Sequence, residues 1–276
     1  MKELTQYIEV LKKEYKSENT IVSYSKIIEK FMKFIEKNIF LVTEYDINNY
    51  KVHLSERKLK ATTINTYLIV IRDFLSFFDI KVTPNLVSIQ KKFILDNLIS
   101  DKEIQKIVRK AQLEDDSRTA AIVYGCYSTG MRVSECLGVP ESAWLDFKSK
   151  TLEVHGKGNK KRKVLYPGGL KTLIRKYYKN RTGKGNEFFK GKKGNIGRRT
   201  ALANFKKYGA DIGIDREKLY LHNLRHRFAV NFLEKNRDVY ALSKILGHTN
   251  LKTVEIYLMK TTNEYLDDIE SMITKI

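Results

Sequence analysis

Apolar residues in the first 79 positions recur at helical spacing. Tyr7, Ile8, Leu11 and Tyr15 form one stripe, and Ile21, Tyr24, Ile27, Ile28, Phe31, Phe34 and Ile35 form a longer one. Thr43 is placed to cap a third helix that carries Tyr45, Ile47, Tyr50 and Leu54. Thr62 or Thr63 opens a fourth, with Ile64, Tyr67, Leu68, Ile71, Phe74, Leu75 and Phe78. Four short helices around an aromatic core predict a helical domain over 1–79. The period weakens after Ile80, where Pro84 sits, and 80–98 reads as a linker.

A new helix starts at Ser100, whose Ser100-x-x-Glu103 pattern is a capping box ahead of Ile104, Ile107 and Val108. Another runs over Ser117 to Ser128 and stops at Gly130. From Trp144 the pattern turns alternating. Trp144–Phe147, Thr151–Val154 and Lys163–Tyr166 read as three strands, separated by turn-like Lys148–Lys150 and Gly156–Asn159. Helical spacing returns from Leu170, apart from Phe188-Phe189, and Tyr265, Leu266, Ile269, Met272 and Ile273 give 262–276 the register of a last helix. The predicted class is mostly α (α+β): a helical domain over 1–79, and a mainly helical domain over 99–276 with a small three-stranded antiparallel sheet.

Composition narrows the partners. The chain has 276 residues, enough for a core in each domain. It has no run of about 18 apolar residues, so no membrane partner is expected, and Met1–Thr5 lacks the apolar region of a secretory signal. Two cysteines, Cys126 and Cys136, do not make a disulfide scaffold or a zinc knuckle, so no metal is expected. A cytoplasmic protein follows. The net charge is +20, and residues 155–199 hold 16 basic residues against the single acid Glu187. A solvated face normally mixes both signs, so this block favours a polyanion, and nucleic acid over a membrane surface because no lipid-facing amphipathic helix accompanies it.

Four segments carry candidate chemistry. In Thr129–Glu135, Arg132 follows a glycine turn and lies three residues before Glu135, so a helix starting there lets Glu135 orient the guanidinium; an ordinary ion pair has the same spacing. In His155–Lys163, Lys157 sits between two glycines at a hairpin tip, where it can approach a phosphate, although a generic basic hairpin looks the same. Gly183-Lys184-Gly185-Asn186 repeats those letters outside the sheet. In His222-Asn223-Leu224-Arg225-His226, His222 and Arg225 share a helix face; the two histidines have His-x-x-x-His spacing, but no carboxylate lies within the segment to complete a metal site. The last segment is Gly247-His248, followed by Tyr257, one of 16 tyrosines.

In this order and at these spacings the segments resemble the tyrosine recombinase (phage integrase) family, of the Xer-like or mobile-element type. The resemblance spans about residues 100–260, and Cys136 and Leu258-Met259 depart from its usual letters. It implies a catalytic set of Arg132, Lys157, His222, Arg225, His248 and the nucleophile Tyr257, supported by Glu135. It implies site-specific cleavage and rejoining of double-stranded DNA through a 3′-phosphotyrosyl intermediate and a Holliday junction, with neither ATP nor metal. The task is integration or excision of a mobile element, or resolution of replicon dimers. The helical first domain looks like the family's core-binding domain, and 262–276 like the helix that docks on a neighbour in a homotetramer. Lys160, Lys161, Arg162, Arg198 and Arg199, with Lys60, Thr62 and Asn65 in the first domain, are the expected DNA contacts. The competing readings are a catalytically silent DNA-binding accessory protein of the same fold and a type IB topoisomerase-like enzyme.

Overall fold

A computed structural model describes residues 2–89, 97–156, 161–247, 254, 257, 269–270 and 272–273. The chain divides into two compact units, Met1–Lys91 and Lys92–Ile276.

The first unit holds helices α1 (Lys2–Lys13), α2 (Glu18–Ile35), α3 (Glu44–Glu56) and α4 (Ala61–Ser76). Their starts follow from local chemistry. The Ser17 hydroxyl accepts the Thr20 N–H at the head of α2, and the Asp46 carboxylate reaches back to the Thr43 N–H at the head of α3. The apolar stripes meet in a core that includes Tyr7, Phe31, Tyr50 and Phe74. Tyr7 meets Phe74, and Phe31 meets Tyr50, edge to face at centroid distances of 5.4 and 5.2 Å. The start of the stretch read as a linker is attached to this unit. Val82 is buried in its core. The Asn65 amide both donates to Val87 O and accepts from Val87 N, at 2.9 and 2.8 Å. Asn65, expected on DNA, is therefore turned inward; a carboxamide that matches a peptide group on both sides satisfies two half-buried backbone groups. Lys60 and Thr62 remain exposed.

The second unit begins with α5 (Asp101–Leu113), capped by Ser100 and Glu103 as its letters predict. Helix α6 (Ser117–Thr129) follows and is buried nearly all round, through Ala120, Ala121, Ile122, Val123 and Cys126. The short helices α7 (Val133–Leu137) and α8 (Glu141–Leu145) lead to β1 (Thr151–His155) and β2 (Lys161–Leu165).

The segment Trp144–Phe147, read as a strand, is the end of α8 and the turn after it. Pro140 sets the extended residue that starts that helix, and Trp144 packs on Tyr166, Phe188 and Phe189 at 5.7–5.9 Å. Four residues are too few to separate a period of 2 from one of 3.6. Among the described residues the sheet is thus two-stranded, antiparallel, pairing Thr151 with Leu165 and His155 with Lys161.

Helices α9 (Gly168–Lys179), α10 (Arg198–Asp211), α11 (His222–Asn236) and α12 (Val239–Leu246) follow. The segment between α9 and α10 is irregular and is anchored by the fully buried Phe188 and Phe189. The Lys184 turn belongs to it, bridged to Gly191 away from the sheet. Of the expected C-terminal helix, residues 269, 270, 272 and 273 are helical, with Ile269, Met272 and Ile273 exposed; its other residues lie outside the described ones. Among the described residues no helix is long and apolar enough to cross a membrane.

Candidate active site

The site is assembled around two glycine turns. Gly130 ends α6 with φ +67, a left-handed conformation that suits glycine. A Cβ there would also lie 2.6 Å from Phe228 Cδ1 and 2.8 Å from Leu246 Cδ2. The tight turn delivers Arg132 to the first position before α7. Gly247 ends α12 in the same way, with φ +66, and a Cβ there would lie 2.8 Å from Arg162 Cδ.

Glu135 lies at the centre, its side chain only 3 % exposed. Oε1 accepts from Arg132 Nη1 at 2.8 Å and from Arg162 Nη1 at 2.7 Å. Oε2 accepts from the Arg132 backbone N–H at 2.7 Å and from Arg162 Nη2 at 2.8 Å. Arg225 Nη1 stands 3.8 Å from the same oxygen. Burial alone would push the carboxyl up, but the Arg162 fork and the Arg132 donors outweigh it and hold the group at about 2.

Arg225, from the first turn of α11, has no exposed surface. Its Nη1 donates to Gly130 O at 2.8 Å and its Nη2 to Leu246 O at 2.7 Å, so one guanidinium ties both glycine turns together. Burial and the neighbouring Arg132 and Arg162 charges lower it to about 10.

Tyr257 is buried as well. Burial raises its hydroxyl above the ordinary phenol value, against the pull of the Arg225 and Arg132 charges. Its ring lies 5.3 Å from that of His226, which lies 4.6 Å from His222. His222 is held below the ordinary imidazole value by the protein around it and by the Arg225 and Arg132 charges. Its ring is therefore neutral at pH 7.

Arg132, Glu135, His222, Arg225 and Tyr257 thus come together from three separated segments. Lys157, Lys160 and His248 lie outside the described residues. The expected DNA contacts divide. Lys161 is exposed and paired with Glu153 at 2.9 Å, and Arg198 and Arg199 are exposed at the start of α10. Arg162 is not a surface contact: its side chain is 11 % exposed and turned onto Glu135. The reason is the pleat, which puts Arg162 and Val164 on the inner face of β2 and Lys161 and Lys163 on the outer. That alternation was the available signal. Sequence reading likewise missed His226 as a neighbour of Tyr257, although its place one turn after His222 puts both on one helix face. Among the described residues no three His, Cys, Asp or Glu side chains gather as a metal site.

Comparison with known proteins gives a consistent result. The phage integrase family matches residues 97–264, and the phage integrase N-terminal SAM-like domain matches residues 4–78. The tyrosine recombinase XerC of Pediococcus pentosaceus is 31% identical over 267 residues, covering 87% of this chain and 87% of that protein. The tyrosine recombinase XerA of Saccharolobus solfataricus is 29% identical over 273 residues, covering 93% and 89%. Two solved structures share the fold. The XerH site-specific recombinase bound to a palindromic difH substrate, in its post-cleavage complex, has a TM-score of 0.73 at 20% identity, covering 92% of this chain and 80% of that one. A lambda integrase tetramer bound to a Holliday junction has a TM-score of 0.71 at 15% identity, covering 93% and 76%.

Proposed function

The chain belongs to the phage integrase family and is a tyrosine recombinase, an enzyme of site-specific DNA strand transfer, and from that premise we propose that Tyr257 is its nucleophile, served by Arg132, Lys157, His222, Arg225 and His248. The observation that carries this reading is the convergence of Arg132, Arg225, His222 and Tyr257 around the buried Glu135.

The chemistry follows from the charges. Three guanidiniums, Arg132, Arg162 and Arg225, face one carboxylate. They leave an excess of two positive charges, which suits a phosphodiester whose negative charge grows as it is attacked. Arg132, whose side chain is 35 % exposed, is the guanidinium open to a phosphate. Arg225 is rigidly held behind it, and its Nε has no hydrogen-bond partner among the described residues. Tyr257 is protonated at pH 7 and must lose its proton as it attacks. The neutral His222 is the acceptor. The Tyr257 Oη–phosphorus bond forms, the bond from phosphorus to the 5′ oxygen breaks, and Lys157 supplies the proton that this oxygen takes up. His248 donates a hydrogen bond to a phosphate oxygen. Rejoining reverses these steps with a second 5′-hydroxyl, so the bond energy is kept in the phosphotyrosine and no nucleotide cofactor is needed. The roles of Lys157 and His248 rest on their sequence positions.

The same reading places Lys160, Lys161, Arg198 and Arg199 on DNA, with Lys60 and Thr62 in the first unit. It makes the functional assembly a homotetramer on two duplexes joined through the C-terminal helix. The exposed Ile269, Met272 and Ile273 suit a helix that docks on a neighbour. As a DNA enzyme it works in the cytoplasm.

A nicked suicide duplex tests the reading. The duplex is selected from a random-core pool by covalent capture on the wild-type protein in EDTA. Wild type forms a denaturant-stable adduct and Tyr257→Phe forms none. An adduct that persists in Tyr257→Phe removes Tyr257 from the mechanism.

A further inference from the structure

Arg162 sits in a run of four basic residues, Lys160 to Lys163, and among the described ones, Lys161 to Lys163, it is the one that faces inward. Its side chain is used on three sides. Two parallel bonds of 2.7 and 2.8 Å fork onto Glu135. Its Nε donates to Ile245 O at 3.0 Å, in the last turn of α12. Its Cδ lies under Gly247, close enough that a Cβ there would sit 2.8 Å away. One side chain therefore joins three pieces of the site: β2, which follows Lys157 in the sequence; α7, which follows Arg132; and the Gly247 turn, which precedes His248 in the sequence.

We propose that Arg162 is a positioning residue for the strand-transfer chemistry, clamping Glu135, and through it Arg132, against the Gly247 turn. The proposal rests on the assignment of Arg132 to the catalytic set. Arg132 and Arg225 are like charges brought close together, and Arg132 is the less enclosed, its side chain partly exposed while that of Arg225 is buried. Glu135 holds it by two bonds, one to the backbone and one to the guanidinium. A carboxylate buried among cations is only as fixed as its strongest partner, and the planar fork from Arg162 fixes both of its oxygens at once. A lysine at 162 would keep the charge and lose the fork and the Ile245 bond. The predicted consequence is a misplaced Arg132, the type of small displacement that slows a positioned reaction about a hundredfold.

The test uses the full chain and the selected nicked duplex, with single-turnover capture as the rate and duplex affinity measured separately. Arg162→Lys slows capture about ten- to a hundredfold and changes the duplex Kd by less than about threefold. Its deficit remains at saturating duplex, so it lies in the capture step and not in binding; a merely structural defect, at matched melting temperature, leaves the capture rate of the folded protein unchanged. Glu135→Gln combined with Arg162→Gln is no slower than Glu135→Gln alone, within about twofold, since both changes cut one link. If Arg162→Gln does not fold alone, this double variant and Arg162→Lys carry the test. Wild-type capture by Arg162→Lys would overturn the proposal. So would multiplying losses in the double variant, or a weakened Kd with a salt slope lowered by about one, which marks a phosphate contact. Failure of the wild type to capture DNA at all would instead remove the catalytic reading on which the proposal stands.

Discussion

The two units bury different kinds of side chain. Residues 1–91 are held by an apolar and aromatic core in which Asn65 is the buried polar residue among those described. Residues 92–276 bury Glu135 and Arg225 outright, with Asn223, Thr119 and Thr129 besides. A core like the first needs only the hydrophobic effect to explain it. Charges buried like those of the second cost folding energy unless paired, and their presence marks a place where chemistry, more than stability, has set the residues.

The largest effects should come from unpairing the buried charges. Glu135→Ala leaves Arg162 and Arg225 without their counter-charge and should destabilise the full chain by about 3–5 kcal/mol in urea. The same pairing makes stability depend on pH. Glu135 is held at about 2 in the fold, against about 4.3 in the unfolded chain. Its contribution is full above the unfolded value and is lost as pH falls through that window towards 2. The stability gap between wild type and Glu135→Gln should therefore close between pH 6 and pH 2. A gap that stays constant would mean that the carboxylate is not held by its arginines.

Phe74→Ala, in the first unit, should also cost about 3–5 kcal/mol by opening a cavity, but with no such pH dependence; an equal pH dependence would erase the distinction between the units. Asn65→Ala comes next, at about 1–3 kcal/mol, because it strands the N–H and C=O of Val87. Guanidinium or urea melts of the full chain measure both. The smallest change is Lys161→Ala. Its pair with Glu153 is exposed, so the melting temperature should not move, while the salt slope of duplex binding should fall by about one if Lys161 meets a phosphate. An unchanged slope would take Lys161 off the DNA.

The contrast also explains what the letters revealed. The first unit was legible because its helices are long and its stripes run at 3.6 residues; even the cap at Thr43 was visible, as was the one at Ser100 in the second unit. The segment Trp144–Phe147 was misread because four residues in isolation carry no period, and a helix start after Pro140 decides it. The gathering of Arg132, His222 and Arg225 was legible as a spaced set, since a glycine turn before Arg132 and a His-x-x-Arg face are local features. Arg162 and Asn65 were placed on DNA because their letters suit a surface, whereas their partners, Glu135 and Val87, are 27 and 22 residues away. Burial of a polar side chain is decided by such distant partners, and only the pleat of β2 hinted at it for Arg162.

This buried cluster is proposed to serve attack by Tyr257 on a phosphodiester. Locating the covalent link tests it most directly. The adduct trapped on the nicked duplex is digested with protease and nuclease, and the modified peptide is sequenced by mass spectrometry. A nucleotide remnant on the Tyr257 hydroxyl is the predicted result. A remnant on any other residue, Tyr220 beside the His226 ring included, would contradict it.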